Sequence, residues 1–258
     1  MTVAGGEKSV ALRDREGEAL FGGRILIKAD FEQLSITETF YPDGRPGADA
    51  HFHRRHADAF YVLEGGLAVL VRDEEKLLEP DACVCAPPEV VHGFRSTSRA
   101  RFLNFHTPDA GFADNLRARN RGEQGGFDSI DAAPGTGPPA TDAVFVGPGG
   151  GEWLEGTTRV ATIKIAREEI CLVEFELEPG FEGPDPHAHD DHIDSFYVLE
   201  GEPQFLLGDE TVRLGPRSFV VAPIGFTHTF ANPGSDRARL LNMHAPSRGF
   251  HDFLRKET

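Results

Sequence analysis

Two short segments concentrate the residues best able to do chemistry. HFHRRHAD begins at His51 and HAHDDHID begins at His187. Each places two histidines one residue apart, His51 and His53 or His187 and His189. A third follows, His56 or His192, and then a carboxylate, Asp58 or Asp194. On an extended chain, residues two apart point to the same side, so each His-x-His pair presents its imidazoles together. A further histidine, His92 or His228, must be brought to them by the fold. Three neutral imidazoles and one carboxylate suit a divalent transition metal that keeps open coordination positions. His56 and His192 are the alternatives to Asp58 and Asp194 as fourth ligand, or as acid/base groups.

The two segments belong to an internal repeat. A constant offset of 136 residues, from His51 to His187, also relates His53, His56, Asp58 and His92 to His189, His192, Asp194 and His228. Lys28 matches Lys164, Glu38 matches Glu174, and Pro87 matches Pro223. After a two-residue insertion, LNFHTP matches LNMHAP, which pairs His106 with His244 and Asn104 with Asn242. Ten of the 11 histidines therefore fall into pairs, and only His251 stands outside. His106 and His244 read as strand-end groups or as neighbours of the pocket.

The elements that must position these residues read as short strands. Leu34–Phe40, Ala59–Leu63, Cys83–Ala86 and Arg101–Phe105 are rich in Val, Ile, Phe and Leu and bounded by turn residues, as are their counterparts in the second half. Helix is expected only over 111–119 and 248–255. The pattern predicts an all-β chain with two tandem barrels, at 15–120 and 149–258. A Gly-, Pro- and Ala-rich linker at 121–148 joins them. Inward-facing side chains of neighbouring strands converge in a barrel, which is how Asp58 and His92 would reach the His-x-His pair.

The net charge of −16 argues against nucleic acid as a partner. No apolar run is long enough for a membrane helix, and the first residues lack the apolar core of a signal peptide, so a cytoplasmic location is expected. The three cysteines, Cys83, Cys85 and Cys171, read as small core residues, because Cys83 and Cys85 align with Phe219 and Val221. Arg95 and Arg217 are possible anion-binding groups, with a surface role the more expected one.

The motifs resemble those of the cupin superfamily. Its first motif is Gly-x5-His-x-His-x3–4-Glu-x6-Gly. His51-x-His53-x4-Asp58-x6-Gly65 is similar to it, as is His187-x-His189-x4-Asp194-x6-Gly201, with Asp where the family has Glu. Its second motif is Gly-x5-Pro-x-Gly-x2-His-x3-Asn. Pro223, Gly225, His228 and Asn232 match it, with Arg217 at the first glycine; Pro87 and His92 match it with Asp81, Glu89 and Ser96 at the other positions.

The resemblance implies two jelly-roll barrels (double-stranded β-helices). It implies up to one divalent metal (Fe, Mn, Ni, Co or Zn) in each, bound by His51, His53 and His92 or by His187, His189 and His228. It is similar to the pattern of quercetin dioxygenases and related bicupins. A dioxygenase acting on an aromatic or enolic small molecule is therefore the leading expectation. A metal-assisted cyclase or isomerase and a non-enzymatic binding protein are the alternatives. Monomer and homodimer are both compatible.

Overall fold

The computed structural model describes residues 10–137 and 143–257. The chain divides into two compact units. One is Glu18–Gly150; the other is Gly151–Thr258 with the described part of Thr2–Gly17. Every strand pairing among the described residues is antiparallel.

The first unit packs a seven-stranded sheet with a five-stranded one. The large sheet runs Val144–Val146, Cys83–Ala86, Ala57–Glu64, Ala100–Thr107, Leu34–Tyr41, Ile25–Phe31, Glu18–Leu20. The smaller runs Ile130–Asp131, His51–Phe52, His92–Ser96, Leu67–Val71, Glu74–Leu78. The second unit repeats this with Phe219–Ala222, Ile193–Glu200, Ala238–Ala245, Cys171–Leu177, Arg159–Ala166 and Glu152–Glu155, and the strand Val10–Leu12 pairs on the edge beside Phe219–Ala222. Its smaller sheet has three strands: Glu210–Arg213, Gln204–Leu207 and His228–Ala231. These are tandem jelly-roll barrels. The two helices, Phe112–Asn120 and Phe250–Lys256, lie where the sequence places them. No helix among the described residues is long and apolar enough to cross a membrane.

The central strands are buried on both faces, which is why they read as near-continuous apolar runs. In Ala57–Glu64, Phe60 and Val62 face the core with Phe102, Val69, Val71 and Val84. Each fully buried Phe or Val contributes roughly 1.5–3 kcal/mol. Asp58 shares their side by the strand's two-residue period, so a carboxylate is held inside the barrel. The same period on Ala100–Thr107 places Asn104 and His106 beside Phe102.

Sequence reasoning missed the strands Glu74–Leu78 and Glu210–Arg213, whose residues are mostly charged and exposed. Nor is 121–148 a free linker where it is described. Ile130–Asp131 pairs with His51–Phe52, and Val144–Val146 pairs with Cys83–Ala86, so the segment gains its hydrogen bonds from the first barrel. Residues 138–142 of that segment lie outside the described residues.

The motif's glycine positions have a backbone reason. Gly65 has φ +74°, and a Cβ there would meet the Arg99 carbonyl oxygen at 1.9 Å. Asp81, Glu89 and Arg217 replace glycine yet keep φ of 67°, 68° and 71°. Left-handed backbone at such residues costs roughly 1–3 kcal/mol and persists only where surrounding structure requires it. At residue 89 the requirement is visible: the Glu89 N–H donates to the His53 carbonyl at 2.6 Å, as Gly225 N–H donates to His189 at 2.7 Å. This turn pins the backbone of the second histidine of each pair.

Candidate metal centres

His51 and His92 are cross-strand neighbours, and their rings lie 4.4 Å apart. His187 and His228 face each other through an isolated bridge, with rings 4.7 Å apart. Only His51 of the first pair is in a strand; His53 lies just beyond it and is held by the turn at Glu89. Asp58 enters from the large sheet, directly opposite His106 in the ladder, as Asp194 is opposite His244. Ligand atoms of His51, His53, Asp58 and His92 all lie within 4.8 Å of one another, and those of His187, His189, Asp194 and His228 do the same. Each group could hold one metal ion. His56 joins a different trio with His53 and His106, and His192 one with His189 and His244. The structure therefore groups Asp58 and Asp194, not His56 and His192, with the three histidines.

The hydrogen bonds set the tautomers that a cation needs. Nδ1–H of His51 donates to the Asp49 carbonyl at 2.7 Å, and Nδ1–H of His92 to the Val90 carbonyl at 2.8 Å. His187 and His228 donate likewise to Asp185 and Phe226. The remaining Nε2 atoms are turned toward the carboxylate, at 3.2 Å for His92 and 3.0 Å for His228. A neutral imidazole so fixed offers Asp58 a lone pair, so a proton or a cation must lie between them. Nε2 of His53 and of His189 is buried without a hydrogen-bond partner. A bound cation would satisfy these orphaned atoms, and the donor set fits a divalent transition metal.

Burial, aided by the neighbouring His92, lowers the His51 pKa to about 4. Burial also takes His56 and His244 down to about 3. For Asp58, burial would raise the carboxyl, but the imidazoles of His106, His53 and His92 outweigh it and hold the group well below the usual carboxylate range. Burial would likewise lower His228, but the Asp194 carboxylate raises it. A neutral His51 beside an ionised Asp58 is the combination of protonation states that metal binding requires.

The two centres differ in their surroundings. In the second, His192 bonds Asp191 at 2.9 Å and His244 at 3.0 Å, and His244 Nε2 lies 3.4 Å from Asp194. This chain of groups joins the exposed Asp191 to the buried carboxylate and could carry a proton. Arg54 and Arg55 stand where the second unit has Asp190 and Asp191. In the first unit, Asp128 supplies a carboxylate instead. Its side chain accepts from the N–H groups of Arg54 and Arg55, and its carbonyl accepts from His53 Nδ1. The first centre opens into a cavity of about 400 Å³ that His51, Asp58, His106, Phe94 and Phe102 help line. The second opens into one of about 580 Å³ lined in part by His187, His189, Phe175, Phe181 and Phe230.

The cupin domain family matches residues 37–106 and 173–244, which together take in both centres. The chain belongs to the cupin family. Among solved structures, its fold is similar to a Bacillus subtilis oxalate decarboxylase variant, at 15% identity and TM-score 0.54, covering 83% of this chain and 69% of that one. It is also similar to a cupin 2 conserved barrel domain protein from Leptotrichia buccalis, at 10% identity and TM-score 0.57, covering 94% and 91%. A comparison with curated proteins finds no match.

In this cupin, two groups beside the centres escaped sequence reasoning. Asp128 has no counterpart in the repeat and sits in a segment that reads as linker, so no pattern marks it. Asn104 and Asn242 were visible as a matched pair, but not as the groups that hold the carboxylates. Each donates its Nδ2–H to the near oxygen of Asp58 or Asp194. Replacing Asn104 with alanine should leave the fold intact and weaken metal binding in the first barrel by about 10–100-fold. Competition with a chromogenic chelator measures this, and unchanged affinity would remove Asn104 from the site. Arg95 and Arg217 lie elsewhere: Arg95 pairs with Glu75 at 2.7 Å, and Arg217 with Asp14 at 3.7 Å, and both are exposed. The three cysteines are buried.

Proposed function

We propose that this bicupin is a metal-dependent dioxygenase acting on an aromatic or enolic small molecule, with one divalent transition metal in each barrel. The observation that carries the proposal is the coupling of each His3Asp cluster to a cavity walled by aromatic side chains. Both volumes fall within the roughly 300–1,000 Å³ range of small-molecule pockets. His51, His53, His92 and Asp58 would hold one ion, and His187, His189, His228 and Asp194 the other. The Bacillus subtilis oxalate decarboxylase described by its Mn(II) centres supports a divalent metal on this fold. A bound ion would supply Lewis acidity toward a substrate oxygen and, where the metal is redox-active, a path for electrons to dioxygen.

The chain's own residues do the remainder. Phe94 and Phe102, or Phe175 and Phe230, hold an aromatic ring and keep water out. The Asp194 carboxylate would accept an enolic proton, and His244 and His192 lead on to Asp191 at the surface. In the first barrel Asn104 fixes one oxygen of Asp58 and leaves the other aimed at the histidines.

The test is to load the protein separately with Fe(II), Mn(II), Co(II) and Ni(II), equilibrate it anaerobically with the flavonol quercetin or other enolic aromatics, and then admit oxygen. Metal-dependent oxygen uptake is expected. Its absence with every metal and substrate would overturn the proposal. One observation favours a second reading, an oxygen-independent cyclase or isomerase. His56 and His106 form a further trio with His53, placing acid/base groups beside the centre. Product formed by the zinc-loaded protein without oxygen would select that reading.

A further inference from the structure

The two cavities occupy equivalent places in the repeat, yet their walls differ in charge. Arg24, Arg45 and Arg119 line the first, against one carboxylate, Asp58. Arg159 and Arg248 line the second, against three, Asp185, Asp194 and Glu257. The second pair is neutralised internally. Arg248 pairs with Asp191 at 3.0 Å, and Glu257 acts electrostatically on Arg159. Arg24, Arg45 and Arg119 form no ion pair among the described residues. Arg45 is half-buried, its guanidinium lies over the Tyr41 ring at 5.2 Å, and its Nε is buried without a hydrogen-bond partner.

Arg24 Nε donates to the Phe21 carbonyl at 3.0 Å, and none of the three arginines around this cavity meets an acid among the described residues. The repeat sharpens the contrast. Thr37, Thr39 and Arg45 correspond to Val173, Phe175 and Phe181, and beyond the two-residue insertion Asn115 and Arg119 correspond to Phe253 and Glu257. At these five positions the first cavity has two cations, two hydroxyls and an amide where the second has three phenyl rings, a valine and an acid.

We infer that the first cavity is a carboxylate-binding pocket that takes the anionic form of a small aromatic or enolic acid, while the second takes an uncharged apolar ligand. Arg24, Arg45 and Arg119 receive the carboxylate, and the aromatic walls contributed by Phe94 and Phe102 receive the ring. A guanidinium binds a carboxylate by charge-assisted hydrogen bonds about twice as strong as neutral ones, so removal of all three should cost at least about 30-fold in affinity. The inference concerns ligand class and does not require turnover.

The test is calorimetric titration of the full chain with salicylate and with its neutral analogue salicylamide. The wild type is compared with the triple variant Arg24→Gln, Arg45→Gln, Arg119→Gln, with circular dichroism and a thermal melt to confirm folding. Should the triple variant fail to fold, the single variant Arg119→Gln, at an exposed position, serves in its place. The wild type is expected to prefer salicylate, and the variants to lose that preference while keeping salicylamide binding. Equal binding of the two probes by the wild type, or a folded variant that keeps the preference, would overturn the inference. Salicylate preference without any oxygen uptake would sink the dioxygenase reading and leave this one standing.

Discussion

Replacing His53 with alanine should halve the metal bound by the chain, from about two ions to about one, without unfolding it. His53 contributes a buried nitrogen that has no protein partner, so its removal costs few native hydrogen bonds. It does remove one of three imidazoles from the first centre, and even outer groups around such centres typically change affinity 10–100-fold. A direct ligand should exceed about 100-fold. His189→Ala should have the same effect on the second centre, because His187, Asp194 and His228 belong to the other compact unit. The two losses should then add. Elemental analysis after dialysis, with circular dichroism as the control, checks this. Unchanged metal content in both single variants would show that neither cluster is the site.

The second large effect is on stability and lies away from the centres. Glu38 is fully buried between two cations: Lys28 Nζ at 3.1 Å and Arg101 Nε at 2.6 Å. Lys28 and Arg101 are themselves 1% and 6% exposed. Changing Glu38 to glutamine keeps the shape but removes the buried carboxylate that both cations contact. Breaking a buried ion pair from one side costs about 3–5 kcal/mol, because the remaining charge is stranded. The first unit should therefore lose roughly 10 °C in melting temperature. The equivalent Glu174→Gln should cost less. Arg239 is more exposed than Arg101, and its contact to Glu200, at 2.6 Å, is shorter than the corresponding contact of Arg101 to Glu64, at 3.6 Å, so less charge is left uncompensated. Scanning calorimetry that showed equal, small shifts for both variants would contradict this ordering.

Much of this was legible in the sequence because the repeat reports on itself. Five histidine pairs at a nearly constant offset marked the centres, but not which side Asp58 faces, because the strand was read as starting at Ala59, one residue beyond it. Lys28 and Glu38 were visible as matched to Lys164 and Glu174, but a match does not say what a pair does. Their role needed the ladder that sets Glu38 against Leu103 and leaves Arg101 close by. Exposed strands such as Glu74–Leu78 carry no apolar pattern and could not be read. Asp128 and the strand Val144–Val146 were hidden for another reason. Their partners are distant in the chain, and a Gly- and Pro-rich segment looks the same whether it is loose or laid against a barrel. The choice between Asp58 and His56 was also closed to the sequence, since both sit near the start of one strand. The structure groups Asp58 with the three histidines and turns His56 toward His106.

The central claim is that each barrel holds one metal through three imidazoles and a carboxylate. Metal content together with X-ray absorption on the Co(II)-loaded chain tests it most directly. The account predicts close to two ions per chain, each with about three imidazole nitrogens and with oxygen completing the shell, and loss of both ions in the double variant His53→Ala, His189→Ala. A double variant that still binds the metal with the same spectrum would contradict it.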